Sequence, residues 1–158
     1  DDLKFAKELH DALPVSCRHL PGNHDVGDNP TAVGSAPKRP ATEQERQKYL
    51  SVIGEDRWRF DEAGWCFIGL NSLIMNTGIE SEAGQFDWLT AELARVNGRP
   101  VALFLHKPLF LDAPDDPETA DTAIRAKDLD EASATIASAR RTGTPAAAAA
   151  PRPARRSS

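Results

Sequence analysis

The stretch Leu20-Pro21-Gly22-Asn23-His24-Asp25 decides how the rest of this sequence is interpreted. The run from 15 to 20 favours a buried strand, and Pro21-Gly22 breaks regular structure and lets the backbone turn tightly. On the extended backbone expected there, adjacent side chains point in opposite directions, so Asn23 and His24 are predicted to serve different partners. The sequence therefore places an amide, an imidazole and a carboxylate where a strand meets a loop. A purely structural turn, in which Asn23 and Asp25 satisfy local backbone groups, is the alternative interpretation.

A second histidine stands at the same kind of place later in the chain. The apolar run from 100 to 105 predicts another buried strand, and His106-Lys107-Pro108 follows it directly. Open α/β sheets usually place their sites where strands end, which makes His24 and His106 candidate site residues. Lys107 is a candidate phosphate ligand, although a solvated side chain is the favoured interpretation because lysines mostly stay exposed.

Periodicity predicts alternating helices and strands between these two places. A helix over 3–13 presents Phe5, Leu9 and Leu13 as one apolar stripe, packs on a sheet and ends at Pro14. The other predicted elements are a strand over 15–20, a loop over 26–41, a helix from Thr42 to about 54, a hairpin with arms 57–60 and 65–70, a helix from Gly84 to 96 and a strand over 100–105. The second hairpin arm is apolar nearly throughout, which indicates a strand covered on both faces. This alternation predicts an α/β fold with helices packed on mostly buried strands.

Two further histidines and both cysteines lie within the predicted elements. His10 is interpreted as an exposed helix position without a partner, and His19 as a core or edge histidine. Cys17 and Cys66 lie in apolar runs, which indicates buried thiols in a reducing compartment. We therefore expect a cytoplasmic protein.

Charge is distributed unevenly in a chain of otherwise ordinary globular composition. The net charge is −5, yet no acidic residue follows Glu131 while five arginines do, so the rest of the chain is more acidic than this total. Nucleic-acid binding through that arginine-containing segment is therefore the least favoured hypothesis, since no aromatic residue occurs after Phe110. No run approaches the ~18 apolar residues of a membrane span, and no membrane partner is predicted.

The chain is predicted to fall into three parts. Residues 1–111 form a partial domain, residues 112–131 a weakly structured acidic segment, and residues 132–158 a disordered tail rich in Ala, Pro and Arg. The tail cannot bury enough apolar surface to offset the entropy of ordering. The chain opens on Asp1-Asp2 without a methionine, so we expect it to be an internal fragment of a longer protein.

The Gly-Asn-His-Asp run at 22–25, with a histidine after a later strand, resembles the calcineurin-like metallophosphoesterase superfamily. The third signature motif of that superfamily reads Gly-Asn-His-Asp or Gly-Asn-His-Glu. The Asp ending and the surrounding chain are most similar to the cyclic-nucleotide-phosphodiesterase-like branch. The resemblance covers about residues 3–111 and implies a partial metallophosphoesterase sandwich, here incomplete.

The resemblance implies hydrolysis of phosphate esters at two divalent metal ions, Mn, Fe or Zn, ~4 Å apart. Asn23, through its side-chain oxygen, and His106 would bind the same metal. His24 would act as general acid for the leaving oxygen, with Asp25 hydrogen-bonded to its far nitrogen. The implied substrate is a small-molecule phosphate ester, with nucleotides among the candidates.

Other motifs of the superfamily have no counterpart in this sequence. There is no Asp-x-His and no Gly-His-x-His, and the single Gly-Asp, Gly27-Asp28, follows the Asn-His-Asp run instead of preceding it. Two protein ligands are fewer than the three that metal sites typically use, so the 158-residue chain itself is expected to bind metal weakly and to be inactive. Activity would then belong to an intact parent protein. The competing hypothesis is a noncatalytic α/β binding or scaffold module that retains the turn for folding.

Overall fold

The computed structural model describes residues 2–30 and 37–108, and these form a mixed α/β fold. The elements in chain order are α1 (Asp2–Asp11), α2 (Asn23–Val26), α3 (Glu43–Val52), β1 (Trp58–Glu62), β2 (Trp65–Gly69), a 3₁₀ turn (Ser72–Ile74), α4 (Glu80–Ala94) and β3 (Val101–Phe104). No helix among the described residues combines the length and the apolar character needed to cross a membrane. The segments predicted over 112–131 and 132–158 lie outside the described residues.

The strands form one sheet in the order β1-β2-β3, with β1 and β2 as the predicted hairpin. The turn consists of Ala63 and Gly64, which both have positive φ, 48° and 81°. Positive φ at both positions is the geometry that matches the twist of the flanking strands. β3 pairs parallel to β2 with Gly69 opposite Phe104, so both strands end at the same edge of the sheet.

One face of the sheet carries the main core. Cys66 and Ile68 of β2 are completely buried and belong to the same core cluster as Leu89 and Leu93 of α4. The prediction that β2 is covered on both faces is wrong for the opposite face, where Phe67 is only half-buried and is stacked on the Phe60 ring, 4.8 Å away. Within ranges 2–30 and 37–108, neighbouring aromatic rings rather than a second layer cover that face.

Local capping signals explain where the two longer helices of the core begin. Thr42 accepts a hydrogen bond from the Glu45 amide at 3.2 Å, which confirms the predicted start of α3. α4 begins at Glu80, four residues before the predicted start at Gly84. The Glu82 carboxylate accepts hydrogen bonds from the backbone amides of the residues leading into the helix, at 3.1 Å from Thr77 and 2.7 Å from Gly78.

The predicted packing of α1 through its apolar stripe is wrong. Phe5, Leu9 and Leu13 are 63%, 53% and 48% exposed. The half-buried face of α1 instead consists of positions 3, 6, 7 and 10, and Leu3 packs against the cluster of Val26, Tyr49 and Leu73. The helix itself forms as its periodicity predicts, but it faces the fold through its more polar side.

The predicted strand over 15–20 is also absent, and its first four residues are exposed. Cys17 is therefore exposed rather than buried, whereas Cys66 is buried as predicted. A strand requires a hydrogen-bonding neighbour, and no strand of the described sheet pairs with this segment. Side chains connect it to β1 instead: Trp58 donates from Nε1 to the His19 carbonyl at 2.9 Å, and the Arg18 guanidinium lies 4.6 Å from the Phe60 ring centre.

Candidate functional site

The Asn-His-Asp run forms the short helix α2 rather than an extended segment. Gly22 is the N-cap, and its amide donates to Asp25 Oδ2 at 2.7 Å. Successive side chains on a helix are about 100° apart, so the prediction that Asn23 and His24 point in opposite directions is wrong. Asp25 thus holds the turn closed through the backbone of the residue three positions earlier.

Arg39 fixes the carbonyl end of α2. Its Nη1 donates to the His24 carbonyl at 2.6 Å and its Nη2 to the Asp25 carbonyl at 3.3 Å. The same guanidinium forms an ion pair with Glu45 of α3 at 2.7 Å. Helix-end carbonyls need such partners, and here the partner comes from the far end of the 26–41 loop. The His24 side chain itself is exposed.

His106, the second residue after β3, lies against the turn that opens α2. A Cβ atom placed on Gly22 would lie 3.0 Å from His106 Cε1, 3.3 Å from Nδ1 and 3.4 Å from Nε2. A side chain at position 22 would therefore require the His106 ring to shift by a few tenths of an ångström. The turn at Gly22 and the segment after β3 therefore meet at one edge of the sheet, although Gly22 and His106 are 84 residues apart in sequence. Gly22 directly precedes Asn23.

Lys107 is buried, so the favoured interpretation of a solvated lysine is wrong. Only 5% of its surface is exposed, and Nζ donates to Asn29 Oδ1 at 2.7 Å and forms an ion pair with Asp28. Its backbone amide donates to Ser72 Oγ at 3.0 Å. Burial is tolerated because the ammonium has both a charged and a neutral acceptor.

Gly27-Asp28 does not match the bridging Gly-Asp motif of the superfamily, because it follows the Asn-His-Asp run. Asp28 nevertheless lies in the same region as Lys107. The Asp28 amide donates to the Arg39 carbonyl at 2.8 Å and its carbonyl accepts from Ala41 at 2.9 Å, which ties together the two ends of the loop. Sequence reasoning missed Asp28, Asn29 and Arg39 as site neighbours. The sequence signal that could have identified them is the polar pair Asp28-Asn29, which directly follows Gly27 and lies just beyond the Asn-His-Asp run.

A buried polar network lies beyond the end of β2. Arg46 forms a bidentate ion pair with Asp56 at 2.7 and 3.0 Å, and Asn71 Nδ2 donates to the same carboxylate at 2.9 Å. Burial alone raises the pKa of Asp56, but the hydrogen bonds from Arg46 and Asn71 outweigh it, so the pKa lies below its ordinary value of 3.8. Gln85 of α4 completes the network by binding both the amide and the carbonyl of Asn71.

Tyr49 of α3 connects this network to α2. Its side chain is 2% exposed, and the hydroxyl has no hydrogen-bond partner among the residues that the structure describes. Burial raises the pKa of Tyr49, and the negative charges of Asp25 and Asp56 raise it further. Tyr49 is therefore a buried packing residue of the region with a neutral phenol.

The remaining histidines form a separate pair, contrary to the prediction that His10 lacks a partner. His10 Nδ1 and His19 Nε2 are 2.7 Å apart and their rings are stacked with centres 4.8 Å apart. They line a surface cavity of about 360 Å³ together with Cys17 and residues of α1. Burial, and then the charges of His10 and Lys7, lower the pKa of His19.

The donor atoms near α2 fit a metal ion only in part. An amide oxygen from Asn23 and a ring nitrogen from His106 suit Mn, Fe or Zn. Within ranges 2–30 and 37–108, however, no three His, Cys, Asp or Glu side chains form a group able to hold a metal ion. These two side chains would therefore supply part of a coordination sphere, not a complete one.

The His106 ring thus lies against Gly22, the residue that opens the Asn23-His24-Asp25 turn, and the next residue, Lys107, is buried against Asn29 and Asp28. In comparisons with known proteins, no protein family, no curated protein and no solved structure matches this chain.

Proposed function

We propose that this edge of the sheet is part of the site of a metal-dependent phosphoesterase, a hydrolase acting on phosphate monoesters or diesters. The observation that supports the proposal is the contact between the His106 ring and Gly22. It brings a histidine from the end of β3 beside the Asn-His-Asp run, which is the convergence that the resemblance requires. An arrangement with these segments on opposite sides of the molecule would have been incompatible with the proposal.

Asn23 and His106 would together hold one of two divalent ions, Mn, Fe or Zn. When bound, the metal pair supplies an activated water and neutralises charge on the phosphate. Metal cations also fit the charge of the chain, because an acidic protein otherwise repels a phosphate ester. With two ligands from this region, we expect weak binding and no catalysis by the 158-residue chain alone.

His24 would donate the proton to the leaving oxygen. Its side chain is exposed, as a group that meets a substrate must be, while its backbone carbonyl is held by Arg39. Asp25 stabilises the turn through the Gly22 amide, and its hydrogen bond to the His24 ring stays a prediction. The substrate is a small phosphate ester, with nucleotides among the candidates.

A noncatalytic binding or scaffold module is the second candidate. The observation in its favour is that Asp25 serves the Gly22 amide and Lys107 serves Asp28 and Asn29, so both charged groups have structural partners. In this alternative the Asn-His-Asp turn is retained because it packs against the end of β3.

Titration of the ¹⁵N-labelled chain with Mn²⁺ separates the two candidates. The paramagnetic ion should selectively broaden the amide signals of residues 22–26 and 105–107, and Asn23→Ala and His106→Ala should each abolish this broadening. His10→Ala is the matched control, since it removes a histidine from the separate pair and should leave broadening at these residues unchanged. Absence of selective broadening, or broadening that survives His106→Ala, would overturn the metal proposal and favour the scaffold.

A further inference from the structure

Lys107 connects three parts of the chain at one point. Its backbone amide binds Ser72, which follows β2, and its ammonium binds Asn29 and Asp28, which follow α2. The residue itself directly follows His106 at the end of β3. The segment from 22 to 29 therefore contacts the end of β3 twice, at its start through Gly22 and at its end through this ion pair.

The burial of this lysine indicates that its contacts matter energetically. The side chain is 6% exposed and that of Asp28 is 24% exposed, so the pair is shielded from solvent and salt. Removing one partner of such a pair leaves the other charge uncompensated, which destabilises much more than loss of a surface pair. A direct role in phosphate binding is disfavoured, because the ammonium already faces a carboxylate and an amide oxygen.

We propose that Lys107 is a positioning residue that holds the His106 ring against Gly22. Because Lys107 is fixed at both its backbone and its ammonium, the preceding residue has little freedom to move away from α2. The segment that carries Asn23 is held by the same ion pair from its other end. Lys107 thereby sets the separation of Asn23 and His106, and the consequence for metal affinity rests on the proposed function.

Proton NMR measures this positioning without any metal. The short approach of His106 Cε1 to Gly22 predicts a strong nuclear Overhauser cross-peak between His106 Hε1 and a Gly22 Hα. Lys107→Met, which keeps most of the aliphatic stem, should abolish the cross-peak. Lys48→Met is the matched control, since Lys48 forms an exposed ion pair with Glu45 and should leave the cross-peak intact.

Lys107→Met leaves Asp28 without its partner and could unfold the protein. A double variant provides the same test in that case. Asp28→Asn combined with Lys107→Met removes both charges of the pair, and this is often tolerated where removal of one is not. The cross-peak should be lost in the folded double variant as well. A cross-peak of wild-type intensity in that variant would overturn the positioning role.

The Mn²⁺ titration then tests the consequence for the site. Residues that orient a metal ligand typically change metal affinity 10–100-fold, so the double variant should need about 10-fold more Mn²⁺ for the same broadening at residue 23. The two proposals fail separately. Loss of the cross-peak with no selective Mn²⁺ binding in the wild type would support the positioning role and reject the metal site.

Discussion

Helices α4 and α1 carry similar apolar patterns and have opposite environments. Phe86, Leu89 and Leu93 are spaced as one stripe of α4, and Leu89 is 1% exposed against the sheet. Phe5 and Leu9 are spaced in the same way in α1, yet both are more than half exposed. Helical periodicity thus predicts that a helix forms but not which of its faces is buried, because burial depends on the elements that lie opposite.

The core region around α3 and α4 also differs from α1 in its ion pairs, and this difference predicts the largest effect. Arg46 and Asp56 are 11% and 3% exposed, whereas Lys7 and Asp11 of α1 are 29% and 59% exposed. Arg46→Met should lower the free energy of unfolding by about 3–5 kcal/mol, because it leaves a buried carboxylate unpaired. Lys7→Met is the control and should cost about 0–1 kcal/mol. Urea denaturation followed by circular dichroism measures both.

Acidification tests whether the loss of stability in Arg46→Met comes from the ion pair with Asp56. The pKa of Asp56 in the folded protein is lowered from its ordinary value of 3.8. Stability from this pair is therefore present above that value and is lost as the pH falls through the folded pKa. An Arg46→Met penalty that does not diminish on acidification would contradict the ion-pair explanation.

A pair of leucine truncations tests the apolar contrast directly. Leu89→Ala removes a fully buried side chain from the α4 core and should cost about 2–5 kcal/mol, from lost burial and the cavity left behind. Leu9→Ala removes a side chain that is 53% exposed, and its effect should stay within about 0.5 kcal/mol. Similar losses in the two variants would show that the stripe of α1 is buried in solution, for example against a partner.

Much of the better-packed region could be predicted from local sequence signals. Thr42 with Glu45 three residues later predicts the start of α3, and the runs over 57–60 and 65–70 predict the hairpin around Asp61-Glu62-Ala63-Gly64. The strands in fact pair as far as Glu62 and Trp65, so the turn is shorter than predicted. These signals act between neighbouring residues, so the rest of the chain does not need to be known. The strand predicted over 15–20 fails for the converse reason, since strand formation requires a pairing neighbour that no local pattern reveals.

The approach of two segment ends could be predicted, whereas the side chains that support them could not. Asn23 and His106 were candidates because they follow predicted strands, and their role as metal ligands is implied by the resemblance and stays a prediction. The His106 ring does lie against Gly22, the residue before Asn23. Lys107 with Asn29 was not predictable, because that contact joins residues 78 positions apart and reverses the ordinary preference of lysine for solvent. The stacking of His10 on His19 likewise depends on how the exposed segment after α1 turns back.

The pH response of the His10–His19 pair is the smallest expected effect. It compares the acid sensitivity of α1 with that of α4. The pKa of His19 is lowered by burial, and then by the charges of His10 and Lys7, while Asp11 opposes this. The folded protein thus disfavours protonated His19, so the pair stabilises above the ordinary pKa of 6.5 and this contribution is lost as the pH falls through the lowered value.

Loss of that contact should loosen residues around α1 without unfolding the core, because few buried contacts join α1 to the rest of the fold. Amide exchange below pH 6.5 should therefore accelerate in α1 relative to its intrinsic rate, while α4 remains protected. His10→Ala should raise the pKa of His19 towards its ordinary value, since it removes one of the lowering charges, and His106→Ala should not. Equal acid sensitivity in α1 and α4 would mean that the two helices belong to one cooperative unit, and the contrast drawn from their exposed stripes would not extend to stability.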